Sequence, residues 1–186
     1  MTTHYLLILL FFLLPNLSRG DSPLEFEYRE TVHWDLLGPS VSAGNGLYVA
    51  YNGSHTHVMD VNSLQNGTDV QENGYRAWRL IETNIDELGA RSFHAMASLG
   101  NGKVLMYGGE DDNYVCLNDA WIFTLSFNGK NGKETGTWTK TADGPSARYW
   151  HAMASLGNGK VLMYGGEDNG DLNDAWIFTL SSNEKN

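Results

Sequence analysis

Past the first 20 residues, apolar positions fall in short runs, and no stretch keeps a 3.6-residue period. Val104-Leu-Met-Tyr107 and Val161-Leu-Met-Tyr164 are continuously apolar and stop at Gly108-Gly109 and Gly165-Gly166. Runs that short, ended by glycine, predict strands covered on both faces. Gly100-Asn101-Gly102 precedes the first run and Gly157-Asn158-Gly159 the second. Both connections consist of residues that accept positive φ, so they predict tight hairpins. In the central unit the pattern predicts strands over His94 to Leu99, Lys103 to Tyr107, Ala120 to Leu125 and Thr135 to Lys140.

The pattern is written twice. Arg91 to Glu110 returns as Arg148 to Glu167, and of these 20 positions only Ser92/Tyr149 and Phe93/Trp150 differ. Leu117 to Ser126 returns unchanged as Leu172 to Ser181. The offset is 57 before the glycine pair and 55 after it, so one loop is two residues shorter in the later copy. A period of this size predicts stacked copies of one supersecondary unit. A degenerate earlier copy starts at Gly44-Asn45-Gly46. Its Tyr51-Asn52-Gly53 aligns with Tyr107-Gly108-Gly109, and Tyr75 to Ile81 falls near the Trp138 strand. It lacks the Arg-x-x-His start. Thr31 to Leu37 predicts a further strand, with Trp34 in the place that Trp138 takes before the last copy. That copy stops after its third strand.

Composition narrows the picture. The chain has 186 residues, room for one ordinary domain. High glycine and aromatic content favours many short strands over a helical bundle. The net charge of −10 argues against non-specific binding to nucleic acid or anionic membrane. Tyr5 to Leu14 is an apolar run too short to span a bilayer. Pro15 breaks it, and Ser18 and Gly20 supply small residues before Asp21, so residues 1–20 are expected to be a secretory signal and the product extracellular. No later segment is expected to cross a membrane. Residues 21–33 read as a polar lead-in and 183–186 as a tail. In a secreted product Asn52 and Asn66 are glycosylation acceptors. The lone Cys116 is a free thiol or an intermolecular link.

Arg91-x-x-His94, an apolar strand ending in Gly108-Gly109, then Asp119-x-Trp121 and the distal Trp138 resemble the kelch motif. The second copy repeats it as Arg148, His151, Gly165, Gly166, Asp174 and Trp176. The resemblance covers roughly Trp34 to Leu180. It implies an all-β fold of kelch-type β-propeller blades, each a four-stranded antiparallel sheet, in an incomplete ring of about three. The blades are expected near 41–82, 91–141 and 148–180, within a segment over 34–182, and the strand near Trp34 could complete one of them. Closed propellers use about four to eight blades. An open blade face leaves on the order of 500 Å² of apolar surface in water, or roughly 12 kcal/mol of unrealised burial. Two explanations stay open: a piece of a longer reading frame, or two copies pairing as a homodimer.

Residues that recur in every copy are first explained by what every blade needs. Arg91 and Arg148 are expected to donate to backbone carbonyls, and His94 and His151 to pack at blade junctions. Trp121, Trp138 and Trp176 are packing residues. Asp119 and Asp174 are expected to accept backbone N–H bonds in turns. Function is expected where the copies differ. Glu110, Asp111, Asp112 and Tyr114 in one loop, and Glu167, Asp168 and Asp171 in the other, form a solvated acidic rim or a partner-contacting surface. Their carboxylates are of the kind Ca²⁺ takes, but the spacing is not that of an EF-hand loop. Aromatic residues at Phe93 and Trp150 could shape a contact surface. His55-x-His57 offers two imidazoles without a nameable third metal ligand. The leading expectation is a binding module for a protein or glycan, with no cofactor and no catalysis. One rival is a fragment of a secreted copper enzyme of the galactose-oxidase kind, in which Tyr114 and Cys116 would supply a cross-linked pair; another is a purely structural spacer or a non-functional gene fragment.

Overall fold

The computed structural model describes residues 39–60, 78–84, 87–128, 133–141 and 143–181. The expected signal, lead-in, Trp34 strand, Asn66 and tail lie outside the described residues. Among the described residues the regular structure is strand. Strands β1 (Ser40–Gly44), β2 (Leu47–Tyr51), β3 (Thr56–Asp60) and β4 (Arg79–Ile81) form one sheet in that order. Strands β5 (Ala95–Gly100), β6 (Lys103–Tyr107), β7 (Ala120–Asn128) and β8 (Lys133–Lys140) form the second. The third holds β9 (Ala152–Gly157), β10 (Lys160–Tyr164) and β11 (Ala175–Thr179). Every neighbouring pair is antiparallel.

Glycine and asparagine turn the hairpins as expected: Asn45, Asn101 and Asn158 all have φ near +53°. The arms of the β7–β8 hairpin run further than the sequence suggests. They go on pairing through Ser126↔Thr135 to Asn128↔Lys133. The degenerate first copy is a complete four-stranded sheet. His57 pairs with Leu80 as Trp121 pairs with Lys140, so Trp78 stands in the register position of Trp138.

Strands β1, β5 and β9 are the inner edges and lie side by side. The period of two along each strand then sends alternate residues to opposite neighbours. Val104 and Met106 of β6 join Val49, Tyr51 and Val58 of the first sheet in one core. Leu105 and Tyr107, between them in sequence, join Val161, Met163 and Leu180 of the third sheet in another. Trp138 closes the first junction. Its ring meets Tyr51 and Phe123, and its Nε1–H donates to Thr56 Oγ1 at 2.9 Å. Asn84 brackets the Trp138 backbone, accepting from its N–H (2.8 Å) and donating to its carbonyl (3.0 Å). Arg79 adds a two-pronged contact to Glu134 at 2.7 and 2.8 Å.

Among the described residues the third sheet is covered on one face only. Its β10 has the same sequence as β6, yet only Val161 and Met163, which face the second sheet, are buried. Tyr107 is 4% exposed and its copy Tyr164 is 55%. Ile122 is 7% exposed and its copy Ile177 is 61%. Leu156 is half-exposed where Leu99 is buried. Trp176 is exposed for a second reason: it lies on β11, which has no fourth strand beside it among the described residues.

Identical residues in these two settings make a controlled pair. Ile122→Ala should cost about 2–4 kcal/mol, the usual range for truncating a packed core side chain. Ile177→Ala should cost less than about 1 kcal/mol, because its side chain is mostly in water already. Urea unfolding of the two variants measures the difference, and equal losses would show that the third sheet's outer face is covered.

Candidate functional site

The antiparallel register places two loops of each blade at one end. Tyr107 pairs with Ala95 and with Ala120, so β5 begins, β6 ends and β7 begins together. The segment entering each blade and the loop after its glycine pair therefore share that end.

A buried guanidinium builds the frame there. Arg91 donates to the Gly108 carbonyl (3.1 Å), to the Leu88 carbonyl, and to both oxygens of Asp119 at 2.6 and 2.9 Å. Arg148 donates to the Gly165 carbonyl (2.8 Å), to Ser146 Oγ (2.9 Å), and to Asp174 at 2.7 and 2.9 Å. Each carboxylate also accepts the indole N–H of the tryptophan two residues on, Trp121 or Trp176, at 2.6 Å. The arginines thus donate to carbonyls as expected. The aspartates differ from expectation: they accept from a guanidinium and an indole, because the strand start points them at the arginine rather than back along a turn. Burial pulls the Asp119 carboxyl up, but its bonds to Arg91 and Trp121 outweigh this and hold it below the usual range. The bond from Arg148 and that from Trp176 hold Asp174 well below it.

The glycine pair lets backbones close on this frame. A Cβ on Gly108 would stand 2.5 Å from the Arg148 carbonyl of the next blade, and one on Gly109 would stand 2.5 Å from the Ser92 carbonyl. Gly53 makes the same approach to the Arg91 carbonyl, which is why the first copy manages with one glycine. Asn52 instead closes the turn: its Oδ1 accepts the N–H groups of Ser54 and His55 at 3.1 and 2.8 Å. Tyr51 and Tyr107 tie each blade to the segment entering the next. Tyr51 donates to Gly53 and Gly89, and Tyr107 to Pro145 and Ser146. Burial pushes both phenols up to about 12. The recurrence of tyrosine at 51, 107 and 164 is the signal of this tie in the sequence.

His94 and His151 are buried edge-on to Tyr51 and Tyr107. Neither ring nitrogen of either residue has a hydrogen-bond partner. Burial, with Arg91 and His151 nearby, lowers His94 to about 3. Burial and Arg148 lower His151 to about 4. His55 and His57 have ring centres 6.5 Å apart. Among the described residues no three histidine, cysteine or acidic side chains are grouped closely enough to hold a metal ion.

The two acidic loops repeat one backbone scheme. Glu110 bridges Ser92 and Cys116, and Glu167 bridges Tyr149 and Asp171. Asp111 Oδ1 caps its own loop by accepting from Asn113 and Val115. Asp112 is exposed and Tyr114 stands out at 82%. Tyr114 is thus turned outward, while Cys116 is half-buried, and burial with the Asp168 charge nearby pushes its thiol up. Between the loops lie Phe93, Tyr149 and Trp150. Their ring centres are 5.3 Å (Phe93–Trp150), 4.9 Å (Tyr149–Trp150) and 6.3 Å (Phe93–Tyr149) apart. Phe93 and Trp150 are 47% and 63% exposed.

Known proteins share the repeat. Residues 40–186 match the family model described as the KLHDC2/KLHL20/DRC7 Kelch-repeats domain. The chain belongs to the kelch-repeat family. It is 36% identical over 89 residues to tRNA wybutosine-synthesizing protein 4 of Candida glabrata, covering 46% of this chain and 12% of that protein. It is 30% identical over 101 residues to human Kelch domain-containing protein 1, covering 50% of this chain and 22% of that protein. An F-box/kelch-repeat protein of Arabidopsis thaliana is 29% identical over 113 residues, covering 56% and 22%. The kelch chain thus spans less than a quarter of the length of these relatives. A solved structure described as "Structure of YjhT" is similar over 70% of the chain and 34% of its own, at 16% identity and a TM-score of 0.41.

Two outcomes test this frame. Asp119→Ala leaves Arg91 buried without its partner and should cost about 3 kcal/mol or more in urea unfolding. The second concerns pH. Both folded histidine values lie below the 6.5 of an unperturbed histidine, so the unfolded chain takes up protons first as pH falls. Stability should be complete above pH 6.5 and drain away as pH falls toward 4 and then 3. His94→Phe, which keeps the ring contact and removes that residue's titration, should lessen the fall in melting temperature over that window, with His151 supplying the rest.

Proposed function

We propose that this chain is a non-catalytic protein-binding kelch module that meets its partner with the loop end of its blades. The observation that carries this reading is the exposed aromatic cluster of Phe93, Tyr149 and Trp150. Phe93 and Trp150 hold φ at +57° and +54°, and the loop residue Tyr114 holds +60°. The other non-glycine residues at positive φ are asparagines, the type that tolerates it. A bulky residue there costs on the order of 1–3 kcal/mol, and such strain gathers at functional surfaces. Large aromatic side chains shown to water at that cost suit a contact surface, where aromatics provide much of the binding energy. The loops at Glu110–Cys116 and Glu167–Asp171 frame the cluster and belong to the same surface.

The apolar segment before Asp21 supports an extracellular location, with Asn52 as a glycan acceptor. A glycan ligand is the alternative to a protein. Amino-terminal sequencing of the secreted product should begin at Asp21.

Glycine fits the backbone at both strained positions, so Phe93→Gly/Trp150→Gly should fold with an unchanged or higher melting temperature. Quantitative affinity capture should lose the partners of the native chain with this double variant. It should keep them with Asn101→Gly, at the opposite hairpin end. Partners retained by the double variant would overturn the loop-end reading.

A further inference from the structure

We propose that the aromatic cluster at the loop end is a seat for an arginine side chain carried by the partner. This deepens the protein-binding reading and rests on it. The floor is apolar: Phe93 and Trp150 stand edge to face at 69°, and Tyr149 meets Trp150 at 64°. The Trp150 N–H donates to the Phe93 carbonyl at 3.1 Å, which fixes the two rings relative to each other across the blade junction. The seat is therefore built before anything binds.

The rim supplies the charge. Glu110 and Glu167 are anchored by paired backbone bonds, Glu110 to Ser92 at 2.8 and 2.9 Å and Glu167 to Tyr149 at 3.2 and 2.9 Å. These bonds set Glu110 opposite Ser92 and Glu167 opposite Tyr149, residues next in the chain to the floor aromatics Phe93 and Trp150. No ion pair among the described residues involves Glu110, Glu167 or Asp168. Arg148, the nearby cation, is bound to Asp174 and the Gly165 carbonyl.

Aromatic faces beside unpaired carboxylates complement a flat organic cation. The carboxylates are not grouped closely enough for a metal ion among the described residues. A guanidinium is weakly hydrated, stacks on aromatic rings and donates in a planar fork to a carboxylate. The net charge of −10 would draw a cationic segment toward this end and raise its association rate.

The test is fluorescence anisotropy of a labelled Gly/Ser-spaced peptide with four arginines, titrated with the full chain. Equal arms use the same peptide with glutamates, and a neutral labelled chito-oligosaccharide. The arginine peptide should bind and the other two should not. Phe93→Gly/Trp150→Gly should weaken Kd about tenfold or more, the scale of a stacked cation. Glu167→Gln alone should weaken it several-fold. Asp60→Asn, the same charge change at the hairpin end, should leave it unchanged. Failure of the arginine peptide to bind, or an equal effect of Asp60→Asn and Glu167→Gln, overturns the arginine seat. So does binding of the oligosaccharide in its place. If captured partners still depend on Phe93 and Trp150 in any of these cases, the loop-end reading stands and the arginine seat alone falls.

Discussion

A sheet with apolar side chains on both faces has to be covered twice, and every other feature of this kelch segment follows from that demand. The second blade alternates Val104 and Met106 with Leu105 and Tyr107, and so belongs to two cores at once. Neither core exists without two blades. The unit of stability is therefore the junction rather than the blade, as in other repeat architectures. The hydrogen-bonded ties confirm where the junctions are fixed. Tyr51 reaches the segment entering the second blade, Tyr107 reaches the one entering the third, and Trp138 reaches back to Thr56. The outward face of the third blade has the same residues as the covered face of the second and stands open to water. Its chemistry is that of a surface made to meet another blade.

Much of this was legible in the residues because strands and hairpins are local. Val104 to Tyr107 is apolar at every position, and Gly100-Asn101-Gly102 can turn a hairpin without help from distant parts of the chain. The order of diglycine, Asp-x-Trp and distal tryptophan then led to four strands per unit. What stayed hidden was contact across blades. Asn84 carries no motif, yet it pairs with the backbone of Trp138, which is 54 residues away. The first copy looked damaged because Asn52 replaces a glycine. Only the approach of Gly53 to Arg91 shows that a single glycine does what the junction requires. Asp119 was misjudged for a similar reason: its spacing to Trp121 is local, but Arg91, which decides its role, is 28 residues away.

The arginine frame also explains why a buried charge is tolerated at every repeat. Arg91 and Arg148 each make a two-pronged contact with one carboxylate and donate to backbone carbonyls, Arg148 also to Ser146 Oγ, while Arg91 Nε alone among these donors is buried without a partner. That satisfies a planar cation almost completely, which is the condition under which a desolvated ion pair avoids a large penalty. The neighbouring histidines are settled differently. His94 and His151 stay neutral, packed against tyrosine rings and near a cation.

The candidate surface follows from the same frame. At Ser92, Tyr149, Phe93 and Trp150 the structure uses the main chain: the carbonyls of Ser92 and Tyr149 receive Glu110 and Glu167, and the carbonyl of Phe93 receives Trp150. None of these frame bonds involves a side chain. Across the Arg91 to Glu110 unit, the two pairs that differ are these same positions. The shared backbone bonds hold the loop shape whatever residue stands there, and the left-handed conformation turns the side chain outward rather than into a junction. A small hydroxyl at 92 and an aromatic at 149 can thus occupy equivalent places without disturbing either blade. The frame leaves chemical variety free where these side chains reach the surface.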